Sequence, residues 1–227
     1  MNILALDTST ESCSVALLFE GQLFEQSIMT QREHSQRILG LMNALFNDAG
    51  TEIAAIDAVA FGRGPGSFTG VRVAVSVAQG IAFARDLPVI PVSTLAAVAQ
   101  AAIESTDCQQ IAAAMDARMG EIYTGSFVNQ HGLAVPCSEE QVSAPAVFRP
   151  ERPGAWTGVG SGWTVYQNEL QQNFADQLTG ILPDLLPQAT MIAKLADVEA
   201  QQGRLFPAAQ ALPVYLRNNV AQKKAAR

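Results

Sequence analysis

The sequence predicts an α/β fold of the ribonuclease-H-like type, in which helices flank mixed sheets. The main observation is the order of segments from the amino terminus, which is three strands, a helix, a strand, a helix and a strand. A second observation is that this pattern partly restarts after Ser93. The third is that Asp7 and Asp116 each directly follow an apolar strand, which indicates a duplicated unit.

The elements of the first half follow from periodicity and from flanking residues. Short apolar runs predict strands at 3–6, 13–19, 23–28, 56–61 and 88–92. An apolar stripe at helical spacing predicts a helix over 34–49, which Gly50 ends. The valines of 71–84 first alternate as in a strand, but this apolar segment is longer than most strands. We therefore predict a second helix over 67–84.

The second half is predicted from the same signals. Strands are expected at 111–115, 121–127 and 156–159, and helices at 94–103, around 165–170 and at 188–202. Prolines punctuate a connection over 136–153, and 212–216 is expected to be extended. These elements divide the chain into a first lobe (1–100), a second lobe (101–216) and a basic tail (217–227).

A glycine-rich loop joins the fourth strand to the second helix. Four glycines and one proline lie within residues 62–70, and Ser67 and Thr69 are candidate N-caps. The free N–H groups at the start of the following helix could bind an anion. The alternative, of equal weight, is a tight turn whose glycines adopt positive φ. The loop matches neither phosphate-binding template, since it has no Lys-Ser/Thr after the last glycine and no G-x-G-x-x-G.

The charge distribution argues against an autonomous nucleic-acid-binding protein. The 227 residues include 14 Lys and Arg against 21 Asp and Glu, a net charge of −7. Residues 217–227 contain four basic and no acidic side chains, so the rest of the chain carries −11. Binding to phosphates needs clustered basic residues, which such an acidic body does not supply. The tail is predicted to be a solubilising end rather than an RNA contact.

The composition also indicates a soluble, cytoplasmic protein. The three cysteines (Cys13, Cys108 and Cys137) are odd in number and widely spaced, as expected in a reducing compartment. No basic segment precedes the first apolar run, so no signal peptide is predicted. The longest apolar run, 71–84, is too short to span a bilayer. Because 48% of residues are hydrophobic and only 15% charged, some apolar surface is expected to contact a partner.

Six stretches of the sequence are similar to one protein family. They read ILALDTSTESCSVALL, REHSQRIL, AVAFGRGPGSFTGVRVAVSVAQGIAFA, PVIPVSTL, DARMGEIY and PVYLRNNVA, and they extend from Ile3 to Ala221. In combination they resemble the bacterial TsaB (YeaZ-like) family, the accessory subunit of tRNA threonylcarbamoyladenosine synthesis. The resemblance implies two actin-like lobes with the topology of the ASKHA group, which includes acetate kinase, sugar kinases, Hsp70 and actin.

The resemblance also implies partners. It predicts a heterodimer with the catalytic paralogue TsaD, which transfers the threonylcarbamoyl group from its adenylate to N6 of the adenosine 3′ to the anticodon. The small ATPase TsaE is the third member of the complex. This chain is expected to contact tRNA only indirectly, as part of that complex. The chain alone is expected to form a homodimer. ATP and metal are expected to belong to the partner subunits, so no cofactor is predicted for this chain.

No catalytic or metal-binding residue is predicted. In the paralogue, a His-x-x-x-His pair follows the strand that corresponds here to 89–92. The matching positions in this sequence are Thr94 and Val98, and a valine cannot bind a metal. The two histidines of the chain, His34 and His131, are far apart, and a solvated or capping role is the stronger reading of His34.

Two sets of candidate site residues remain. The first set lies on the two helices of the first lobe, which the resemblance places in a four-helix bundle with the paralogue: His34, Ile38, Leu41, Met42, Leu45, Val71, Val75 and Gln79. Core packing alone is the alternative explanation of this set. The second set could face a nucleotide from the ends of corresponding strands: Asp7, Thr8 and Asp116. Ordinary turn and capping chemistry is the favoured explanation of the second set.

Two alternatives come from other functional classes. One is an enzyme with activity of its own, either an ASKHA-type ATPase or a glycoprotease-like peptidase. A peptidase needs a metal or a nucleophile with a base, and the sequence shows neither convincingly. The other is a tRNA-binding module that works through the basic tail, which the acidic body makes the weaker alternative.

Overall fold

The computed structural model describes residues 1–217, and its first lobe is built on a five-stranded sheet. The strands are β1 (Ile3–Asp7), β2 (Ser12–Phe19), β3 (Gln22–Met29), β4 (Ala58–Gly62) and β5 (Val89–Val92). Their order is β3-β2-β1-β4-β5. The β3–β2 and β2–β1 pairs are antiparallel, and the β1–β4 and β4–β5 pairs are parallel. Every residue of β1 and β4 is buried, so both faces of this sheet have to be covered.

One face of this sheet is covered by α1 (His34–Asp48) and α2 (Phe68–Arg85). Buried side chains of both helices pack with those of the strands in one apolar core. The alternating valines therefore lie in a helix, as predicted, and the buried residues of α2 recur at helical spacing: Gly70, Ala74, Ala78 and Ala82. Ser67 caps the helix, since its side chain accepts a hydrogen bond from the Gly70 N–H.

The second lobe repeats the arrangement of the first. Its strands are β6 (Gln110–Arg118), β7 (Glu121–Gln130), β8 (Leu133–Pro136), β9 (Gln141–Ser143), β10 (Trp156–Val159) and β11 (Leu178–Leu182). Their order is β11-β10-β6-β7-β8, and β9 also pairs with β7. As β1 pairs antiparallel with β2 and parallel with β4, so β6 pairs antiparallel with β7 and parallel with β10. The predicted two-lobe α/β fold is thereby confirmed.

Four further helices complete the layers. They are α3 (Thr94–Ser105), α4 (Gly162–Val165), α5 (Gln167–Phe174) and α6 (Ala189–Gln201). Helix α3 lies between the lobes, because Ala97 packs with the first sheet while Leu95 and Val98 pack with the second. Helices α4 and α5 contribute Trp163 and Phe174 to a separate aromatic core of the second lobe. Within residues 1–217, no helix has both the length and the apolar character needed to cross a membrane.

Four local features of the second lobe differ from the prediction. Strand β9 lies within the predicted connection 136–153, and neither β8 nor β11 is predicted at all. All three strands are short, and β11 contains a glycine and is only partly buried, so none has a clear apolar period. The helix predicted around 165–170 is two helices, because Tyr166, with φ of −120°, separates α4 from α5.

Residues 189–211 pack on the first lobe, although the sequence places them in the second. Helix α6 sets Ile192 and Ala196 against the uncovered face of the first sheet, in a core that includes Ile3. Beyond it, Phe206 pairs with Val89 at the edge of that sheet. The predicted lobe boundaries (1–100 and 101–216) are corrected accordingly. The physical reason is that the fully buried strands β1 and β4 need a cover on their second face.

A C-terminal strap, defined here as residues 204–217, runs from α6 back to the second lobe. The Val214 N–H donates a hydrogen bond to the Arg63 carbonyl of the glycine loop (2.8 Å). The Arg217 guanidinium then pairs with Glu121 at the turn between β6 and β7. The predicted extended segment 212–216 lies in this strap, outside any strand. The rest of the predicted basic tail, 218–227, lies outside the described residues.

Candidate functional site

The turn after β1 packs directly onto the glycine loop. Asp7 is fully buried, and its Oδ1 accepts hydrogen bonds from the backbone N–H (3.0 Å) and the hydroxyl (2.8 Å) of Ser9. The Thr8 hydroxyl donates to the Gly70 carbonyl (2.6 Å), and the Ser67 N–H donates to the Ser9 carbonyl (2.7 Å). The polar groups at this edge of the sheet therefore bind one another.

Two glycines make this close contact possible. A Cβ atom at Gly62 would lie 1.9 Å from Oδ2 of Asp7, and one at Gly70 would lie 2.0 Å from the Thr8 carbonyl oxygen. Neither distance leaves room for a side chain at the glycine. The loop is therefore a tight packing element against the turn after β1. Of its four glycines only Gly64 has a positive φ (98°), so close approach, more than positive φ, accounts for the glycines.

Burial changes the electrostatics of Asp7. Loss of solvent raises the pKa of this carboxyl from 3.8 to about 7, although the hydrogen bonds from Ser9 lower it. Among the described residues, Oδ2 has no hydrogen-bond partner. Both Asp7 and Thr8 are 0% exposed. Neither side chain is therefore exposed to a nucleotide in this structure, and their hydrogen bonds are those of a turn, the explanation that the sequence favoured.

Asp116 occupies the equivalent place in the second lobe. Its Oδ1 accepts a hydrogen bond from the Arg118 N–H (2.9 Å), and its carboxylate forms an ion pair with the Arg118 guanidinium (3.0 Å). Its own N–H donates to the Ser161 hydroxyl (3.1 Å). Asp116 thus bonds to the residue two positions on, as Asp7 does with Ser9. This is turn chemistry, in agreement with the favoured explanation of the sequence.

The positions that correspond to the paralogue's histidine pair are occupied by packed side chains. The Thr94 hydroxyl donates to the Pro65 carbonyl, and Val98 is fully buried in the second-lobe core. Nε2 of His34 lies 2.8 Å from the Thr10 carbonyl oxygen, and His131 lies in the exposed turn between β7 and β8. Within residues 1–217, no three His, Cys, Asp or Glu side chains are grouped so as to hold a metal ion.

The outer sides of α1 and α2 form an apolar groove, called here the α1–α2 groove. It encloses about 420 Å³ and is lined mainly by Leu39, Phe68, Arg72, Val73, Ser76 and Val77. Leu39 is 57% exposed and Phe68 54% exposed, and Phe83, farther along α2, is 81% exposed. Large apolar side chains in contact with water indicate a surface that another molecule covers.

Five of the eight predicted partner-binding residues lie elsewhere, in the core of the first lobe: Ile38, Met42, Leu45, Val71 and Val75. Leu41 is half-buried against that core, and the Gln79 amide donates to the Ala208 carbonyl (3.2 Å). This corrects the prediction, because the main apolar stripe of each helix is its buried face. The groove uses other side chains of the same helices. Leu39, which lies off the stripe of α1, is the sequence signal that points to it.

Comparisons with known proteins give one family model and several curated relatives. The matching family model, over residues 26–225, is described as TsaD: tRNA N6-adenosine threonylcarbamoyltransferase. The tRNA threonylcarbamoyladenosine biosynthesis protein TsaB of Haemophilus influenzae is 43% identical, over 99% of this chain and 97% of that protein. The chain belongs to the TsaB family.

A second curated relative and a solved structure are also similar to this TsaB-family chain over nearly its whole length. The TsaB protein of Escherichia coli is 39% identical over 99% of this chain and 98% of that protein. The solved structure of YeaZ from Pseudomonas aeruginosa has a TM-score of 0.90 at 42% identity, covering 95% of this chain and 99% of the other. The resemblance seen in the sequence is thereby confirmed. By the names of both curated relatives, the TsaB family serves tRNA threonylcarbamoyladenosine biosynthesis.

Proposed function

We propose that this chain is a non-catalytic accessory subunit in the formation of N6-threonylcarbamoyladenosine on tRNA. It docks the catalytic paralogue TsaD through the α1–α2 groove, in the cytoplasm, and the pair takes up the ATPase TsaE. The reaction it serves is transfer of threonylcarbamoyl from threonylcarbamoyl-AMP to the adenosine 3′ to the anticodon. The observation that carries this proposal is the exposed apolar groove, on a chain related to TsaB over nearly its whole length.

Hydrophobic burial supplies the driving force for docking. Leu39 and Phe68 are more than half exposed, and each contributes about 25 cal/mol per Å² of apolar surface removed from water. Specific complexes bury about 800 Å² on each partner, which a pair of helices packed on α1 and α2 can supply. When the paralogue is absent, the same face pairs with a second copy of this chain in an isologous contact.

The non-catalytic role is supported by the packing of the candidate nucleotide-facing residues and of the two positions that correspond to the paralogue's histidine pair. Asp7 and Thr8 are sealed under the glycine loop, and Thr94 and Val98 are held by packing contacts. An ATPase or a glycoprotease-like peptidase needs an acid, a nucleophile or a metal that its substrate can reach. The burial of Asp7 therefore weighs against the enzyme alternative.

Reconstitution tests the proposal. Threonylcarbamoyl-AMP and tRNA are incubated with TsaD and TsaE, with and without this chain, and modified adenosine is measured by mass spectrometry. We expect product only when this chain is present. Full product in its absence contradicts the proposal, and product formed by this chain without TsaD supports the enzyme alternative.

Leu39→Glu is expected to weaken binding to TsaD by about tenfold or more, because it places a charge in the apolar groove. Since Leu39 is 57% exposed, the thermal midpoint should change little when it is measured at concentrations where the free chain is monomeric. Val165→Glu is the matched control, because Val165 is 53% exposed but lies in the second lobe. Calorimetric titration measures both affinities. Equal binding by the two variants would place the TsaD contact elsewhere.

A further inference from the structure

Arg72 is held rigidly at the wall of the α1–α2 groove. Its guanidinium carbon lies 3.4 Å from the centroid of the Phe68 ring and 5.4 Å from that of the Tyr215 ring. The two rings lie close to each other, with centroids 5.7 Å apart. The Arg72 Nε–H donates to the Tyr215 hydroxyl (2.7 Å). Stacking and this hydrogen bond fix the plane of the guanidinium before any partner arrives.

The rest of the Arg72 guanidinium is available for a partner. Within residues 1–217, its two terminal nitrogens have no hydrogen-bond acceptor, and the side chain is exposed. Among the described residues that line the groove, it is the only charged one. A fixed guanidinium whose Nη1/Nη2 edge is free matches a carboxylate, which it binds through paired hydrogen bonds.

The lining of the α1–α2 groove itself offers no such carboxylate to a second copy of this chain. Helix α2 contains no Asp or Glu. The acidic groups at the two ends of α1 are already engaged, since Glu33 pairs with Arg37 (2.8 Å) and Asp48 accepts a hydrogen bond from Gln26. In an isologous contact each groove meets an identical groove. The charged lining residue that such a contact brings towards Arg72 is another Arg72.

We propose that Arg72 selects the occupant of the groove, and that this occupant is a helix of the catalytic paralogue that carries an Asp or Glu beside its apolar face. This inference rests on the proposed docking of TsaD at the groove. The carboxylate binds the terminal nitrogens of Arg72, while the apolar side chains of the same helix cover Leu39 and Val77. The like charge disfavours a second copy. Tyr215 is a positioning residue, because it acts by holding the Arg72 side chain.

The experiment compares hetero-association with self-association in the full chain. Affinity for TsaD is measured by calorimetry at low and high salt, and self-association by sedimentation, for the wild type, Arg72→Gln and Tyr215→Phe. Arg85→Gln is the matched control, because it removes the same charge from the same helix, at a side chain that donates to the Ala54 carbonyl outside the groove. Thermal midpoints confirm that each variant is folded.

We expect Arg72→Gln to weaken TsaD binding about tenfold and to remove much of its salt dependence, while self-association is retained or becomes tighter. Tyr215→Phe should weaken TsaD binding by a smaller factor, and Arg85→Gln should change neither association. If Arg72→Gln binds TsaD as well as the wild type does, or loses hetero-association and self-association equally, the proposal that Arg72 selects the partner is wrong. The docking proposal is not affected by that outcome. A wild-type chain that does not bind TsaD overturns the docking proposal, and this inference with it.

Discussion

Gly70→Ala is expected to destabilise the protein by about 3 kcal/mol or more. The new methyl carbon would lie 2.0 Å from the Thr8 carbonyl oxygen, a backbone atom that cannot turn away. Either α2 moves away from the turn after β1, or that turn loses its hydrogen bonds to the loop. Both outcomes open the first-lobe core, to which α2 contributes Val71 and Val75.

Gly80→Ala provides the control on the same helix. Nothing lies within 4 Å of a Cβ atom built at Gly80, so only the helix propensity of the residue changes. Alanine in a helix interior is favoured over glycine by about 1 kcal/mol, and this variant is expected to be more stable than the wild type. Urea unfolding of the three proteins measures the difference. Equal stability of the two variants would mean that the contact between Gly70 and Thr8 does not constrain the fold.

The second large effect is a pH dependence of stability that Asp7 causes. Its pKa is raised from 3.8 to about 7 in the folded state, chiefly by burial. Between these values the folded state holds a proton that the unfolded state has released. The free energy of unfolding therefore falls as pH rises, by up to about 1.4 kcal/mol per pH unit. The contribution of Asp7 is complete below about pH 4 and is lost as the pH rises through about 7.

Asp7→Asn removes this dependence, because an amide has no proton to lose in this range. Denaturant unfolding from pH 4 to pH 8 should show the wild type losing stability relative to the variant as the pH increases. Asp107→Asn, at an exposed carboxylate in the connection between α3 and β6, should follow the wild type. A constant difference between wild type and Asp7→Asn across this range would show that Asp7 is ionised in the folded state.

The order of elements was predictable, because each long strand and helix has its own apolar period. Strands β1, β2 and β4 and helices α1, α2 and α3 all lie where the sequence places them, within a few residues. Position 166 and strands β8, β9 and β11 were not predictable in the same way. Their conformations depend on pairing and packing with distant residues, and too few residues are involved to form a pattern.

The candidate site was predictable only at the level of its helices. Periodicity finds the most apolar stripe of a helix, and in α1 and α2 that stripe faces the core of the lobe itself. The exposed apolar side chains of Leu39 and Phe68 form a second apolar face. In the sequence such a face cannot be told from a broader version of the buried stripe. The burial of Asp7 was likewise hidden. It depends on the approach of Gly62, a residue far away in the sequence.

The C-terminal strap has a mechanical consequence. Tyr215 is tied to Arg72 at the groove, and only two residues later Arg217 is tied to Glu121 on the other lobe. So short a tether has little slack, since two residues span about 7 Å at full extension. A change in the distance between Glu121 and α2 would therefore strain either the hydrogen bond of Tyr215 with Arg72 or the ion pair of Arg217 with Glu121.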